Sequence, residues 1–159
     1  MAESEKQIQL VTFQLGEEHY GIDIMDVREI VRIQEVRPIP NAPSYVEGIF
    51  NLRGDIIPII NLHKRFQLNR ALLSEDDRLL SGFIIIDLGG RELGVVIDKI
   101  SRVVTTQARQ IQPPPQMMTG IGADYIQGVI NDMNGYLIIL NIQRLFNPKE
   151  LQQLGRIAS

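Results

Sequence analysis

A chain of 159 residues with 44% hydrophobic positions is long enough for one compact domain or two very small ones, burying roughly 70% of the surface an unfolded chain exposes. A net charge of −3 with only four Tyr, five Phe and no Trp offers nucleic acid no basic, stacking surface, and the lack of cysteine excludes disulfides and thiolate metal sites. The opening MAESEKQIQL lacks the apolar stretch of a signal peptide and no apolar run approaches the roughly 18 residues of a membrane span, so the chain reads as soluble and cytoplasmic, without direct membrane insertion.

In chain order, IQLVTFQL reads as a strand ending at a Leu-Gly turn, with YGIDI returning from it. EGIFNLRGDIIPIINL, Glu47 to Leu62, turns at Arg53-Gly54-Asp55 and is then apolar at nearly every position, so its second strand needs cover on both faces. Pro58 cannot donate a ladder hydrogen bond, which places it at an edge or bulge and gives this hairpin an open side. QLNRALLSEDDRLLSG, carrying the acidic run Glu75-Asp76-Asp77, reads as a linker over residues 67–81. GFIIIDL and LGVVI form the next hairpin, PPPQMMTGIGAD is a loop, and QGVINDMNGYLIILNI is a hairpin with Asn134-Gly135 as its type I′ pair. Asn147-Pro148-Lys149-Glu150 combines an N-cap, a proline at the first helical position and a capping-box glutamate, which predicts a short helix over 148–155.

The chain repeats itself. Tyr45–Phe66 aligns without a gap on Tyr125–Phe146, matching Tyr45/Tyr125, Gly48/Gly128, Asn51/Asn131, Ile59/Ile139, Asn61/Asn141 and Phe66/Phe146. Upstream, Leu15, Gly16, Gly21 and Ile24 align with Leu88, Gly89, Gly94 and Ile97. About five short strands per half favour a mainly β fold of two small barrels, one over 8–66 and one over 82–147. The two-faced strands predict that the barrels pack together, dividing Ile56, Ile57, Ile59, Ile60 and Leu137, Ile138, Ile139, Leu140 among two interiors, a seam and an exposed patch. Positions kept in both copies, Val27/Ile100, Ile30/Val103 and Gly48/Gly128, read as scaffold. Glu29 and Arg53 face Arg102 and Met133 in the other copy, so the fold itself does not demand them.

EHYGIDIMDVREIV, NAPSYVEGIFNLRGDIIPIINL and QARQIQPPP resemble, in order and spacing from about Leu10 to Phe146, the chemotaxis coupling proteins of the CheW family. The resemblance implies two SH3-like five-stranded barrels around a joint hydrophobic core. It further implies an adaptor without catalysis or cofactor, joining the regulatory domain of the histidine kinase CheA to the cytoplasmic tips of methyl-accepting chemoreceptors in membrane arrays. By the same resemblance Val27, Glu29, Ile30, Arg53 and Val103 line a receptor-facing groove, and Val36, Glu47, Ile56, Gln116 and Met117 face the kinase. An adaptor of another chemosensory system, such as pilus motility, and a barrel that binds a small ligand or oligonucleotide are the alternatives.

Other motifs lead nowhere. Arg53-Gly54-Asp55 is a hairpin turn before it is an adhesion tripeptide. His19 and His63 lack the spacing of a zinc site and read as surface or partly buried packing. Gly120-Ile121-Gly122 lacks the strand and helix of a dinucleotide fingerprint, and no nucleophile elbow, Walker pattern or carboxylate pair suggests a catalytic residue.

Overall fold

The computed structural model describes residues 6–66, 73–113, 125–132 and 135–158. Among the described residues are ten strands: β1 (Gln7–Leu15), β2 (Glu18–Asp23), β3 (Val27–Arg32), β4 (Val46–Leu52), β5 (Asp55–Ile60), β6 (Gly82–Leu88), β7 (Arg91–Ile97), β8 (Lys99–Gln107), β9 (Ile126–Asp132) and β10 (Gly135–Leu140). Helices α1 (Leu62–Phe66), α2 (Glu75–Arg78) and α3 (Pro148–Ala158) accompany them.

Each half contributes five strands, as the repeat predicts, but the halves exchange hairpins. One five-stranded sheet runs β8-β1-β2-β10-β9 and the other β3-β6-β7-β5-β4. The contiguous division 8–66 and 82–147 is therefore corrected: β1–β2 completes the sheet of the second half and β6–β7 that of the first. Two parallel pairings mark the exchange, β10 beside β2 and β5 beside β7. The physical reason lies in β6, whose residues Gly82 to Ile86 are all buried. A strand that hides both faces must sit inside a sheet between two layers, and β6 does so between β3 and β7.

Both sheets close into barrels through one bridge each. Arg37 and Ile49 exchange backbone hydrogen bonds of 2.9 and 2.9 Å, and Gln112 and Val129 do the same at 2.9 and 2.8 Å. The retained pair Gly48/Gly128 explains why both copies close here. A Cβ on Gly48 would collide with the Arg37 carbonyl oxygen, and one on Gly128 would lie 2.8 Å from that of Gln112. We call the β8-containing sheet barrel I and the β3-containing sheet barrel II.

The apolar strands divide as expected. Ile57 and Ile59 fill barrel II with Phe50, Phe83 and Ile85; Leu137 and Ile139 fill barrel I with Leu10; Ile60, Ile138 and Leu140 join the seam built from both sheets. Ile56 alone of the eight stays exposed, at 46%. Pro58 is buried in an interior strand rather than at an edge or bulge, and it is tolerated because the β5–β7 ladder begins only at Ile59 and Ile60. The open side is real: below that ladder a cleft of about 710 Å³ separates Asp55–Pro58 from Arg91–Leu93, with Leu151 and Leu154 of α3 as its third wall.

The β4–β5 turn is Arg53-Gly54, between the paired Leu52 and Asp55. In the second copy Gly135 pairs with Asp132 as the first residue of β10, and Asn134 of the expected Asn134-Gly135 turn falls outside the described residues. The linker 67–81 contains α2 within its described part, N-capped by the Ser74 hydroxyl, which accepts from Asp77 N at 3.1 Å. Helix α3 begins as the capping box predicts, with Glu150 N donating to Asn147 Oδ1 at 2.8 Å and Asn147 N to Glu150 Oε1 at 2.9 Å, and runs to Ala158 rather than 155.

Candidate functional site

Barrel II carries most of the candidate residues on two neighbouring surfaces. On the first, Asp23 accepts from Met25 N at 2.9 Å, capping the 3-10 turn Ile24–Asp26 that carries the chain from barrel I into β3. A bulge between Val27 and Glu29 in the β3–β6 pairing re-aims the side chains there. Glu29 accepts a hydrogen bond from Arg53 Nη2, joining β3 to the β4–β5 turn, with the two side chains 32% and 69% exposed. That hydrogen bond and the Glu29 charge raise the Arg53 pKa above its ordinary value. Arg28, beside Glu29 in the bulge, pairs with Asp87 at 3.4 Å and Glu92 at 3.6 Å.

Val27 is half-buried against the seam with Ile100, consistent with scaffold. Ile30 and Val103 depart from that reading: they are 44% and 51% exposed, on β3 and β8. Their retention in both copies marks matching exposed apolar positions on the two barrels. The structure thus joins Glu29 to Arg53 directly and sets Val103 on the other barrel, opposite Val11 of β1.

The second surface is the outer face of β4–β5. Ile56 stands opposite Asn51 and, with Val36 and Ile49, borders a hollow of about 530 Å³. It also borders the larger cleft against α3. Glu47 lies apart from this hollow, accepting from Asn61 Nδ2 at 2.5 Å and standing 3.6 Å from Lys64 Nζ. Gln116 and Met117 fall outside the described residues.

Two polar clusters have no counterpart in the sequence reading. Arg65 makes a bidentate pair with Glu150, Nη1 to Oε2 at 2.5 Å and Nη2 to Oε1 at 2.8 Å, with side-chain exposures of 12% and 18%. Its guanidinium carbon lies 4.9 Å from the Tyr45 ring centroid, 5.2 Å from Tyr125 and 5.0 Å from Phe146. Burial pushes the Glu150 carboxyl up, but hydrogen bonds from Arg65, Asn147 and Tyr45 and the charge of Arg65 outweigh it and hold it below its ordinary value of 4.5. Burial and the nearby Glu150 push the Tyr45 hydroxyl up to about 12. The repeat hides this cluster, since Arg65 aligns with Leu145; the signal available was the pairing of Tyr45 with Tyr125. His63 is buried rather than at the surface, its Nε2 2.8 Å from Asp98 Oδ2, and the same oxygen accepts from Gly16 N at 2.7 Å. His19 is exposed. No group of three metal-ligating side chains occurs among the described residues, and no helix among them is long and apolar enough to cross a membrane.

The geometry is that of exposed apolar and charged positions on two barrels that share one hydrophobic seam. A family model described as the CheW-like domain matches residues 9–150. The chain belongs to the CheW family. Chemotaxis protein CheW of Treponema pallidum is 58% identical over 157 residues, covering 99% of this chain and 92% of that one. Chemotaxis protein CheW of Klebsiella aerogenes is 33% identical over 150 residues, covering 94% and 88%. Among solved structures, the scaffolding protein TtCheW of Thermoanaerobacter tengcongensis matches with a TM-score of 0.80 and 34% identity over 91% of both chains. CheW-family membership makes the chain a scaffolding adaptor of chemotaxis signalling, not an enzyme.

Proposed function

We propose that the chain links the regulatory domain of a CheA-type histidine kinase to the cytoplasmic tips of chemoreceptors, and that this recruits it to membrane receptor arrays. The observation that supports the reading is the pair of neighbouring exposed surfaces, one around Ile30 and the Glu29–Arg53 pair and one around Ile56. Val27, Glu29, Ile30 and Arg53, with Val103 on the neighbouring barrel, form the receptor side. Ile56 with Val36 forms the kinase side, Glu47 stands apart from their hollow as a further kinase contact, and Gln116 and Met117, outside the described residues, supply another. An exposed isoleucine beside a hollow is the kind of anchor and pocket that carries energy in protein contacts, and Ile56 borders such a hollow. Weak faces suit an array, because linked contacts raise avidity by orders of magnitude without one tight interface.

The experiment is calorimetry of the chain against an isolated kinase regulatory domain and a receptor tip fragment. Ile56→Asp weakens only the kinase titration, and Arg53→Glu only the receptor titration. Loss of both partners by either substitution contradicts the division.

A further inference from the structure

The edge strands β3 and β8 carry the same irregularity, but only one of them leaves a charge without a partner. In β8 two residues, Ser101 and Arg102, stand opposite Thr12 alone, between the pairs Val11–Val103 and Phe13–Ile100. In β3 the extra residue at the matching place is Arg28, between Val27 and Glu29. Bulges re-aim side chains and are frequent beside functional sites. Barrel II consumes its bulge charges internally, Arg28 with Asp87 and Glu92, and Glu29 with Arg53. In barrel I the counterpart of Glu29 is Arg102. Its guanidinium has no ion-pair partner among the described residues.

The backbone of Arg102 is nonetheless fixed. The buried Thr12 hydroxyl donates to the Arg102 carbonyl oxygen at 2.6 Å and accepts from Arg102 N at 3.1 Å. Ile85 aligns with Thr12 in the other copy, so the fold does not demand this pin. Arg102 and Ser101 border a hollow of about 320 Å³ whose other walls are Thr12, His19, Val104, Gly135, Tyr136 and Leu137. No acidic residue lines it. The repeat places Glu29, Glu92 and Asp55 where this hollow has Arg102, His19 and Gly135, so one mouth of the pair has lost its carboxylates and gained a free cation. Tyr136, the counterpart of Ile56, stands 49% exposed at its rim.

These groups define what fits. A guanidinium is a planar fork of donors that matches a carboxylate through two parallel hydrogen bonds, and the Ser101 hydroxyl and His19 ring supply further donors. A free small anion would use the cation and leave the Tyr136 ring uncovered. A protein segment uses both, and exposed Tyr and Arg are the side chains most favoured at protein contacts.

We infer that the barrel I hollow receives an acidic segment of a protein partner, with a carboxylate on Arg102 and a neighbouring apolar side chain on Tyr136. This goes beyond the two surfaces proposed above, none of whose residues lines the hollow; Val103 lies between Arg102 and Val104 in the chain but outside that lining.

The test titrates the isotope-labelled full chain, followed by NMR, with a short capped peptide carrying glutamates beside a phenylalanine, and with its glutamine analogue. The acidic peptide is expected to give saturable shifts at His19, Ser101, Arg102 and Tyr136, and the analogue none. Arg102→Gln weakens the acidic peptide about tenfold or more at an unchanged urea midpoint, because the side chain holds nothing inside the fold. Arg109→Gln, at an exposed arginine outside the hollow, changes binding by less than about twofold. Absence of saturable shifts, equal binding of the analogue, or an equal loss with Arg109→Gln overturns the inference. So does acetate giving the same shifts at the same concentrations, which would make the hollow a small-anion site. A lowered urea midpoint for Arg102→Gln assigns the residue to the fold and overturns it as well.

Discussion

Replacing Arg65 by Met tests how the two halves and α3 are held together. Arg65 is a first-half residue, and its partners Tyr125, Leu145, Phe146 and Glu150 belong to the second half. Met keeps the volume of the stem over the rings but removes the bidentate contact and the 2.8 Å bond to the Leu145 carbonyl. Glu150, 18% exposed, is then left with Tyr45 Oη at 3.2 Å and Asn147 N at 2.9 Å. Breaking a buried pair from one side costs about 3–5 kcal/mol; because both groups keep some solvent contact, about 2–3 kcal/mol is expected here. At a urea slope of about 1.5 kcal/mol/M this moves the midpoint down by about 1.3–2 M. The sign with pH follows from Glu150, whose folded pKa lies below its ordinary value. Its contribution is full above pH 4.5 and disappears as pH falls through the folded value, so the gap between variant and unmutated chain narrows in acid. A midpoint shift under about 0.3 M, or a gap that widens in acid, refutes the reasoning.

Hairpin exchange predicts one cooperative unfolding step, and segments 1–66 and 73–159 expressed separately should give no folded spectrum; two resolved denaturation transitions or an independently folded half contradict it. Gly48→Ala drives a Cβ into the Arg37 carbonyl and is expected to cost about 2–4 kcal/mol by opening the barrel II bridge, read by denaturation and by hydrogen exchange at Ile49. Glu29→Lys leaves the unfolding free energy from urea denaturation within about 1 kcal/mol of the unmutated chain while weakening receptor binding; a loss comparable to a core substitution would make the residue structural. Ile56→Asp is expected to cost about 1–3 kcal/mol in kinase binding by calorimetry at unchanged stability, and equal affinity would remove Ile56 from that face.

Much of this was legible because the informative signals are local. The glycines at 48 and 128 needed only the repeat to be paired, the Asn147 capping box only four consecutive residues, and the two-faced run Ile56–Ile60 only its lack of alternation. The hairpin exchange was not legible. A strand alternates in the same way whichever sheet receives it, and the β1–β8 pairing, with Val11 opposite Val103, joins residues far apart in the chain. The pairing of His63 with Asp98 is illegible for the same reason: the two lie 35 positions apart, and only the crossing of β7 into β8 brings the carboxylate onto the ring. An apolar residue kept at both Ile30 and Val103 reads as scaffold, yet a repeated fold also repeats its exposed positions. Among the candidate contacts, the structure pairs Glu29 with Arg53 and places Ile56 beside Val36, and it separates Glu47 from that hollow. None of those distances has a sequence signature.

The decisive measurement is whether the kinase regulatory domain and the receptor tip bind the chain at once. Sedimentation velocity of all three components, each near its binding saturation, is predicted to give a single species containing one of each, with neither partner displacing the other. Mutually exclusive complexes, in which added kinase domain releases the receptor tip in proportion, would contradict a two-surface adaptor.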